Sequence, residues 1–304
     1  MGPPMKSLSA FLPLAALPIA AVASPSAAVV RQSPEAVVES LLAADRAFAA
    51  AGAGADLVTA LSAMFDRDVV MPIPGPEGFA RGREAAVAAL RANSANLTAR
   101  AQWAPIRGGL SADGRHGFTL GYMTIRLEDG TVRLAKYLAY WIRRPEGWRA
   151  AVYKRMPRPE GEVSAAMMPP SLPARLVAPT TDAAVLQRHA RSLDLAERSF
   201  SDEAQRIGVG PAFQLWGSAD ATNAGNGPGF TVGAAAIGRD QSGPPAPIHW
   251  GPEGVLVASS GDLGVTWGWI RSNGPPPEGR PAQVPFFTIW RRASPDAPWR
   301  YVAE

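Results

Sequence analysis

The chain contains no cysteine. That excludes disulfides, thiolate nucleophiles and cysteine-ligated zinc or iron–sulfur centres. Lysine is almost missing as well: Lys6, Lys136 and Lys154 are the only three among 30 basic residues. The rest are arginines scattered among 26 acids, with a net charge of +4. No basic run of the kind that tracks a phosphate backbone occurs, so no nucleic-acid partner is expected. The three histidines, His116, His189 and His249, do not form a metal set. Gly225, Gly227 and Gly229 sit in a glycine-rich stretch that does not open a helix after a buried strand, so they are not a dinucleotide fingerprint. No serine–histidine–acid signature or phosphate-binding loop is present. Neither metal nor cofactor is expected.

What is present supports ordered domains. An apolar fraction of 47% over 304 residues provides for hydrophobic cores and two domains of ordinary size. The 30 glycines and 30 prolines call for many turns and an extended linker.

The first residues read as an export signal. Lys6 precedes an apolar stretch from Leu8 to Ala23 that ends in the small-x-small run Ala21-Val22-Ala23. The stretch is short for a membrane span and is interrupted by Pro13 and Pro18. Residues 1–23 are therefore read as a signal peptide. The mature protein is expected to start near Ser24, to lack a stable membrane span and to be periplasmic or secreted.

The remainder repeats itself. Ala44-Asp45-Arg46-Ala47-Phe48 resembles Ala196-Glu197-Arg198-Ser199-Phe200, and Trp103-Ala104-Pro105 resembles Trp250-Gly251-Pro252. Gly117 to Tyr122 resembles Gly264 to Trp269, Trp141 to Arg144 resembles Trp290 to Ala293, and Trp148-Arg149 resembles Trp299-Arg300. The five blocks keep their order at a spacing of about 150 residues, several times a solenoid unit, so each repeat is a whole domain. The domains are read as 33–155 and 181–304. Between them, 156–180 carries prolines 157, 159, 169, 170, 173 and 179, the composition of a semi-rigid linker.

In the first repeat Ser33 caps a helix with Pro34 at its first position, ended by Gly52 and Gly54. Asp56 caps a second helix running through Phe65, and a third spans Arg83 to Ala92. Strands follow at about Ala99–Ile106, Phe118–Leu127, Leu134–Arg143 and Trp148–Lys154, with turns at Glu128-Asp129-Gly130 and Pro145-Glu146-Gly147. The second repeat keeps this order, with a longer first helix from about Asp182 to Arg206. Helices first and strands after predict an α+β fold, each domain having N-terminal helices on a curved antiparallel sheet.

These blocks resemble the nuclear transport factor 2-like (NTF2-like) superfamily, the cone-shaped fold of ketosteroid isomerases and SnoaL-like polyketide cyclases, and within it the family of unknown function numbered 4440. The resemblance rests on the alanine-rich first helix with Asp45 or Glu197, on Trp250-Gly251-Pro252, on Ser260 to Gly268, and on Ile289 to Arg292 with Trp299-Arg300. It implies two tandem cones. Past the last tryptophan the family tends to an acidic residue; the second repeat has Glu304 there and the first Tyr153.

Candidate site residues follow from alternation. Phe118, Leu120 and Tyr122 share one strand face, and Val265, Trp267 and Trp269 share the equivalent one. The resemblance places that face toward the cone interior, where the rings either line a ligand cavity or fill the core. Asp45 and Glu197 are read as the one acid repeated in both domains. Each is either a general base at a cavity rim or a structural hydrogen-bonding group. His249, equivalent to Gln102, is the best proton-transfer candidate if it faces the cavity. His116 is expected to be exposed in its turn and His189 to be packed on its helix. The base aspartate and tyrosine–acid oxyanion site of ketosteroid isomerase chemistry are not found.

Two functions remain open. One is a binding or interaction module of the cell envelope for a small amphipathic or aromatic ligand, held by Glu197, His249, Trp267 and Trp269, with Asp45, Leu120 and Tyr122 lining the equivalent first cavity. The other is a lyase, isomerase or cyclase using an acid or histidine of the second cavity. Either is compatible with the two domains packing as an intramolecular pseudo-dimer.

Overall fold

The protein is described by a computed structural model over residues 1–2, 32–242, 248–276 and 281–304. The expected signal peptide lies outside the described residues apart from its first two.

The first half opens with α1 (Pro34–Gly52), capped by Ser33, whose hydroxyl accepts from the Ala36 N–H. α2 (Leu57–Ser62) follows, capped by Asp56. It ends at Ser62, followed by a turn, and Phe65, expected as its last residue, instead opens β1 (Phe65–Pro72), which pairs with β2 (Phe79–Arg81). α3 (Arg83–Arg91) comes next, then the long strands β3 (Arg100–Leu110), β4 (His116–Arg126), β5 (Val132–Arg144) and β6 (Gly147–Pro157). The sheet order is β2-β1-β6-β5-β4-β3. β1 runs parallel to β6, so the sheet is mixed rather than antiparallel. The charged run Asp66-Arg67-Asp68 hides β1 from hydropathy, since Asp66 is held by the Arg144 guanidinium while Arg67 and Asp68 face solvent.

The second half repeats this plan. α4 (Ala183–Ile207) is capped by Asp182, and α5 (Val209–Trp216), β7 (Gly217–Asn223), β8 (Thr231–Val232) and α6 (Ala234–Asp240) follow. β9 (Ile248–Val257), β10 (Leu263–Ser272), β11 (Gln283–Arg291) and β12 (Arg300–Ala303) complete a sheet of order β8-β7-β12-β11-β10-β9. Gly82 and Gly233 enter α3 and α6 with φ of 86° and 92°, a left-handed entry that glycine adopts without strain.

Both faces of each sheet are buried. Under the first helices Leu41, Leu57, Phe65, Met123 and Trp141 form one cluster; under the second, Leu193, Phe200, Phe213, Trp250 and Trp290 form another. A third cluster joins the halves: Phe118, Leu120, Leu138 and Tyr140 of the first sheet with Leu263, Val265, Phe287 and Ile289 of the second. Residues 32–304 make one compact unit.

Polar contacts reinforce the junction. Asp113 accepts from the Ser259 hydroxyl at 2.8 Å and from the Ser260 N–H at 3.3 Å, while Asp262 accepts from the Ala112 N–H at 3.0 Å. The loops are thus exchanged reciprocally, Ser111-x-Asp113 matching Ser260-x-Asp262. Asp113 and Asp262 are a second repeated acid, which a two-residue drift in loop length conceals. The buried Arg107 reaches across to the Asp220 carboxylate, and Lys136 donates to the Gly227 carbonyl at 2.7 Å.

The linker is not free along its length. The Met168 N–H bonds to Ile106 O at 2.7 Å, Ser171 N–H to Gly108 O at 2.9 Å and Val177 N–H to Ala112 O at 2.8 Å, so residues 168–177 lie along the outer edge of β3. Its prolines suit that position, because a strip lying on a sheet edge needs only some of its N–H groups.

Candidate functional site

Each cone holds one buried carboxylate from its first helix. Asp45 accepts from the Trp103 indole N–H and the Tyr137 hydroxyl, each at 2.8 Å. Glu197 accepts from the indole N–H groups of Trp250 at 2.8 Å and Trp290 at 2.9 Å, and from the Thr266 hydroxyl. The equivalent Thr119 accepts from the Trp141 indole at 2.8 Å. Acid, two tryptophans and threonine therefore recur as a unit. Both carboxylates are completely buried, with no arginine partner among the described residues. Burial raises the pKa of Asp45, against the lowering effect of Thr119, Trp103 and Tyr137. Burial pushes Glu197 to about 7, although three donors favour its ionised form. These acids pin helix to sheet. Trp103, Trp141, Trp250 and Trp290 served only as repeat landmarks in the sequence, yet acid and tryptophans recurring together was the available signal.

The aromatic face points the other way. Leu120 is buried in the cluster between the sheets, and Tyr122 stacks near Phe230 of the other half at 5.4 Å. Trp269 packs edge-on against Phe79 at 5.6 Å and donates to Glu253 at 2.6 Å. Trp267 packs at the margin of the same cluster, its ring over Gly254. Facing the helices instead are Thr119, Gly121 and Met123, and in the second repeat Thr266, Gly268 and Ile270. The expectation that Leu120, Tyr122, Trp267 and Trp269 line the cones is therefore corrected: a tandem has two buried faces per sheet, and the large rings fill the one between sheets. His249 is exposed against Asn273, because its neighbour Trp250 takes the inward position. His116 is half-buried, not exposed. It bonds the Tyr140 hydroxyl at 3.0 Å, and burial among arginines lowers it to about 4 despite Asp113. His189 lies 3.1 Å from the Arg292 guanidinium.

Glu304, just past β12, is marked by the sequence only as the acid matching the family's pattern. Glu304 borders a second-cone cavity of about 290 Å³ walled by Phe213, Trp250, Ile270 and Phe286. Its Oε2 is buried without a hydrogen-bond partner among the described residues. Burial raises Glu304 to about 7, with Lys154 opposing and Glu197 reinforcing the shift. Lys154 comes from the first repeat, lines the same cavity and is lowered to about 8 by its own burial. A carboxyl raised to about 7 and an amine lowered to about 8 thus border one cavity, whose walls mix aromatic rings with Asn223 and Thr288, able to hold a polar ligand end or exchange a proton with it. Among the described residues no cluster suited to a metal ion occurs, and no helix is long and apolar enough to cross a membrane.

Neither the protein-family models nor the curated proteins compared with the chain match it. Solved structures do. A protein described as a calcium/calmodulin-dependent protein kinase II association domain, from Xanthomonas campestris, is 16% identical over 41% of this chain and 89% of its own, with a TM-score of 0.31. An NTF2-like protein with a cystatin-like fold from Novosphingobium aromaticivorans is 20% identical over 40% and 79%, with a TM-score of 0.29. A ketosteroid isomerase-like protein from Erwinia carotovora atroseptica is 20% identical over 40% and 94%, with a TM-score of 0.30. These are similarities of fold, and the two cones described above rest on this chain's own strands.

Proposed function

We propose that the protein is an exported module of the cell envelope that binds a small amphipathic molecule in its second cone. The observation that carries this reading is Glu304: a carboxyl with a partnerless oxygen, set in an aromatic-walled cavity of about 290 Å³. That volume falls just below the usual range for small-molecule sites, about 300–1,000 Å³, so only a small ligand fits. A ligand with an apolar body and one hydroxyl or amine would satisfy Glu304 and cover the rings. The rest of the chain serves as support, the two repeats standing in for the subunits of a homodimer; the shared apolar cluster and the exchanged Asp113 and Asp262 favour this. Ligand-observed NMR with small aromatic alcohols and amines tests the reading. Binding is expected in the wild type, with quenching of Trp250 fluorescence, and a loss of at least about tenfold in Glu304→Gln. Equal binding by both proteins would remove Glu304 from the site.

A second reading has one observation in its favour. Glu304 at about 7 and Lys154 at about 8 are tuned for proton transfer at neutral pH, as in a lyase, isomerase or cyclase. Turnover of a bound carbonyl compound, lost in Glu304→Gln and following an ionisation near pH 7, would establish it. Export is tested separately, by N-terminal sequencing of the protein recovered outside the cytoplasm.

A further inference from the structure

The first cone holds a separate cavity of different chemistry. It measures about 750 Å³, well inside the small-molecule range. Its apolar wall comes from Met71, Ile73 and Phe79 of the β1–β2 hairpin region and from Ala85, Ala88 and Ala89 of α3. Alanines on the cavity side of α3 leave space where leucines would fill it.

The opposite wall is β6, and it carries two donors. Tyr153 is only 1% exposed, and its hydroxyl has no hydrogen-bond partner among the described residues. Nη1 of Arg155 is likewise buried and partnerless, and Arg155 forms no ion pair among the described residues. Residues two apart on a strand share a face, so both side chains project to the helix side, and both line the cavity. The intervening Lys154 turns to the other sheet, where its ammonium meets Phe287 O at 3.3 Å. The remaining charges near the cavity are accounted for. Arg81 is paired with Glu253, Glu77 is at the exposed rim, and Asp45, behind Tyr153, already has two side-chain donors of its own.

A buried hydroxyl and a buried guanidinium N–H without acceptors are costly to the empty protein. One group satisfies both: an anion with at least two acceptor oxygens and a single negative charge to match the single arginine. We propose that the first cone binds a monocarboxylic acid with an apolar body, its carboxylate on Tyr153 and Arg155 and its body along the alanines of α3. The site is independent of the second cone, where the equivalent of Tyr153 is the carboxyl of Glu304 and would repel such a ligand once ionised.

The test is calorimetric titration of the full mature chain with octanoate and with its neutral counterpart octanamide. Octanoate is expected to bind and octanamide to bind at least about tenfold more weakly, the fold-change of a lost charge-assisted hydrogen bond. Arg155→Met is expected to abolish that preference and Tyr153→Phe to weaken octanoate. Both first-cone variants should melt at or above the wild-type temperature without ligand, because each removes a buried donor that lacks an acceptor. Equal affinity for acid and amide would overturn the proposal. So would an Arg155→Met protein that keeps the full preference for octanoate over octanamide. Absence of octanoate binding by a folded wild type, with both variants melting below it, would show that the two donors are met by water alone.

Discussion

Tyr153 and Glu304 occupy the same position in the two repeats, five residues past Trp148 and Trp299 respectively. A phenol borders the cavity of one half and a carboxyl that of the other. Each is distinct from the buried carboxylate–indole unit of its own half, Asp45 with Trp103 or Glu197 with Trp250 and Trp290.

That unit gives a prediction in pH. Glu197 keeps its proton to higher pH in the folded chain than in the unfolded one, so its contribution to stability is present below about 4.5 and is lost as pH rises through about 7. Glu304 acts in the same direction. His116, lowered to about 4, and His189, also lowered, oppose them below the ordinary imidazole value of about 6.5, so the melting temperature should fall most clearly between about pH 6.5 and pH 7.5. Glu197→Gln should flatten part of that slope and lower stability at pH 5 by about 1–3 kcal/mol, since the amide nitrogen faces a donor that has lost its acceptor. An unchanged slope in thermal melts across this range would contradict the assignment.

The shared cluster predicts one melting transition. With Leu138 and Phe287 packed between the sheets, neither half has a complete core alone. Calorimetry of residues 24–304 should show a single transition, and Phe287→Ala should lower its stability by about 3–5 kcal/mol. Two separable transitions would mean that the halves fold independently. Expressed alone, residues 33–155 should aggregate through the exposed face.

Gly78 is the most sensitive backbone position at the junction. Its φ is 64°, and an added Cβ would lie 1.8 Å from the Trp269 ring. Gly78→Ala should cost about 1–3 kcal/mol or more through left-handed strain and displacement of that ring. Chemical denaturation measures it, and a neutral result would place Trp269 elsewhere.

Limited proteolysis should cut the linker unevenly. Residues 159–167 are mostly exposed, whereas Ser171 is buried and 168–177 are bonded to β3. The first cuts should fall within 159–167, and mass spectrometry of the early fragments will locate them. Early cuts at 168–177 would show that the strip does not stay on the sheet.

Much of this was legible in the sequence. The repeat, the helix caps at Ser33 and Asp56, and the four long strands of the first half all follow from local chemistry that tertiary structure leaves intact. Alternation also sorted the residues of β4 and β10 correctly into two faces. It could not say which face meets the helices, because both faces are buried and hydropathy is nearly blind to the difference. The threonines settle it: Thr119 and Thr266 must reach polar partners, and these lie under the helices. β1 was missed because three of its eight residues are charged, and the partnership of Asp66 with Arg144 joins residues 78 apart.

Arg291 closes the edge of the first sheet from the far end of the chain. Its guanidinium donates to Leu110 O at 2.7 Å and to both the carbonyl and the hydroxyl of Ser171, at 3.0 and 2.7 Å. During synthesis this residue emerges after nearly everything else. Until then the strip 168–177 lacks its clasp, and β3 presents an unguarded row of amides to any neighbouring strand. The finished molecule is protected against strand addition by a residue that the growing chain does not yet have, so a chain truncated before Arg291 should be far more prone to aggregation than the loss of its last strand alone would imply.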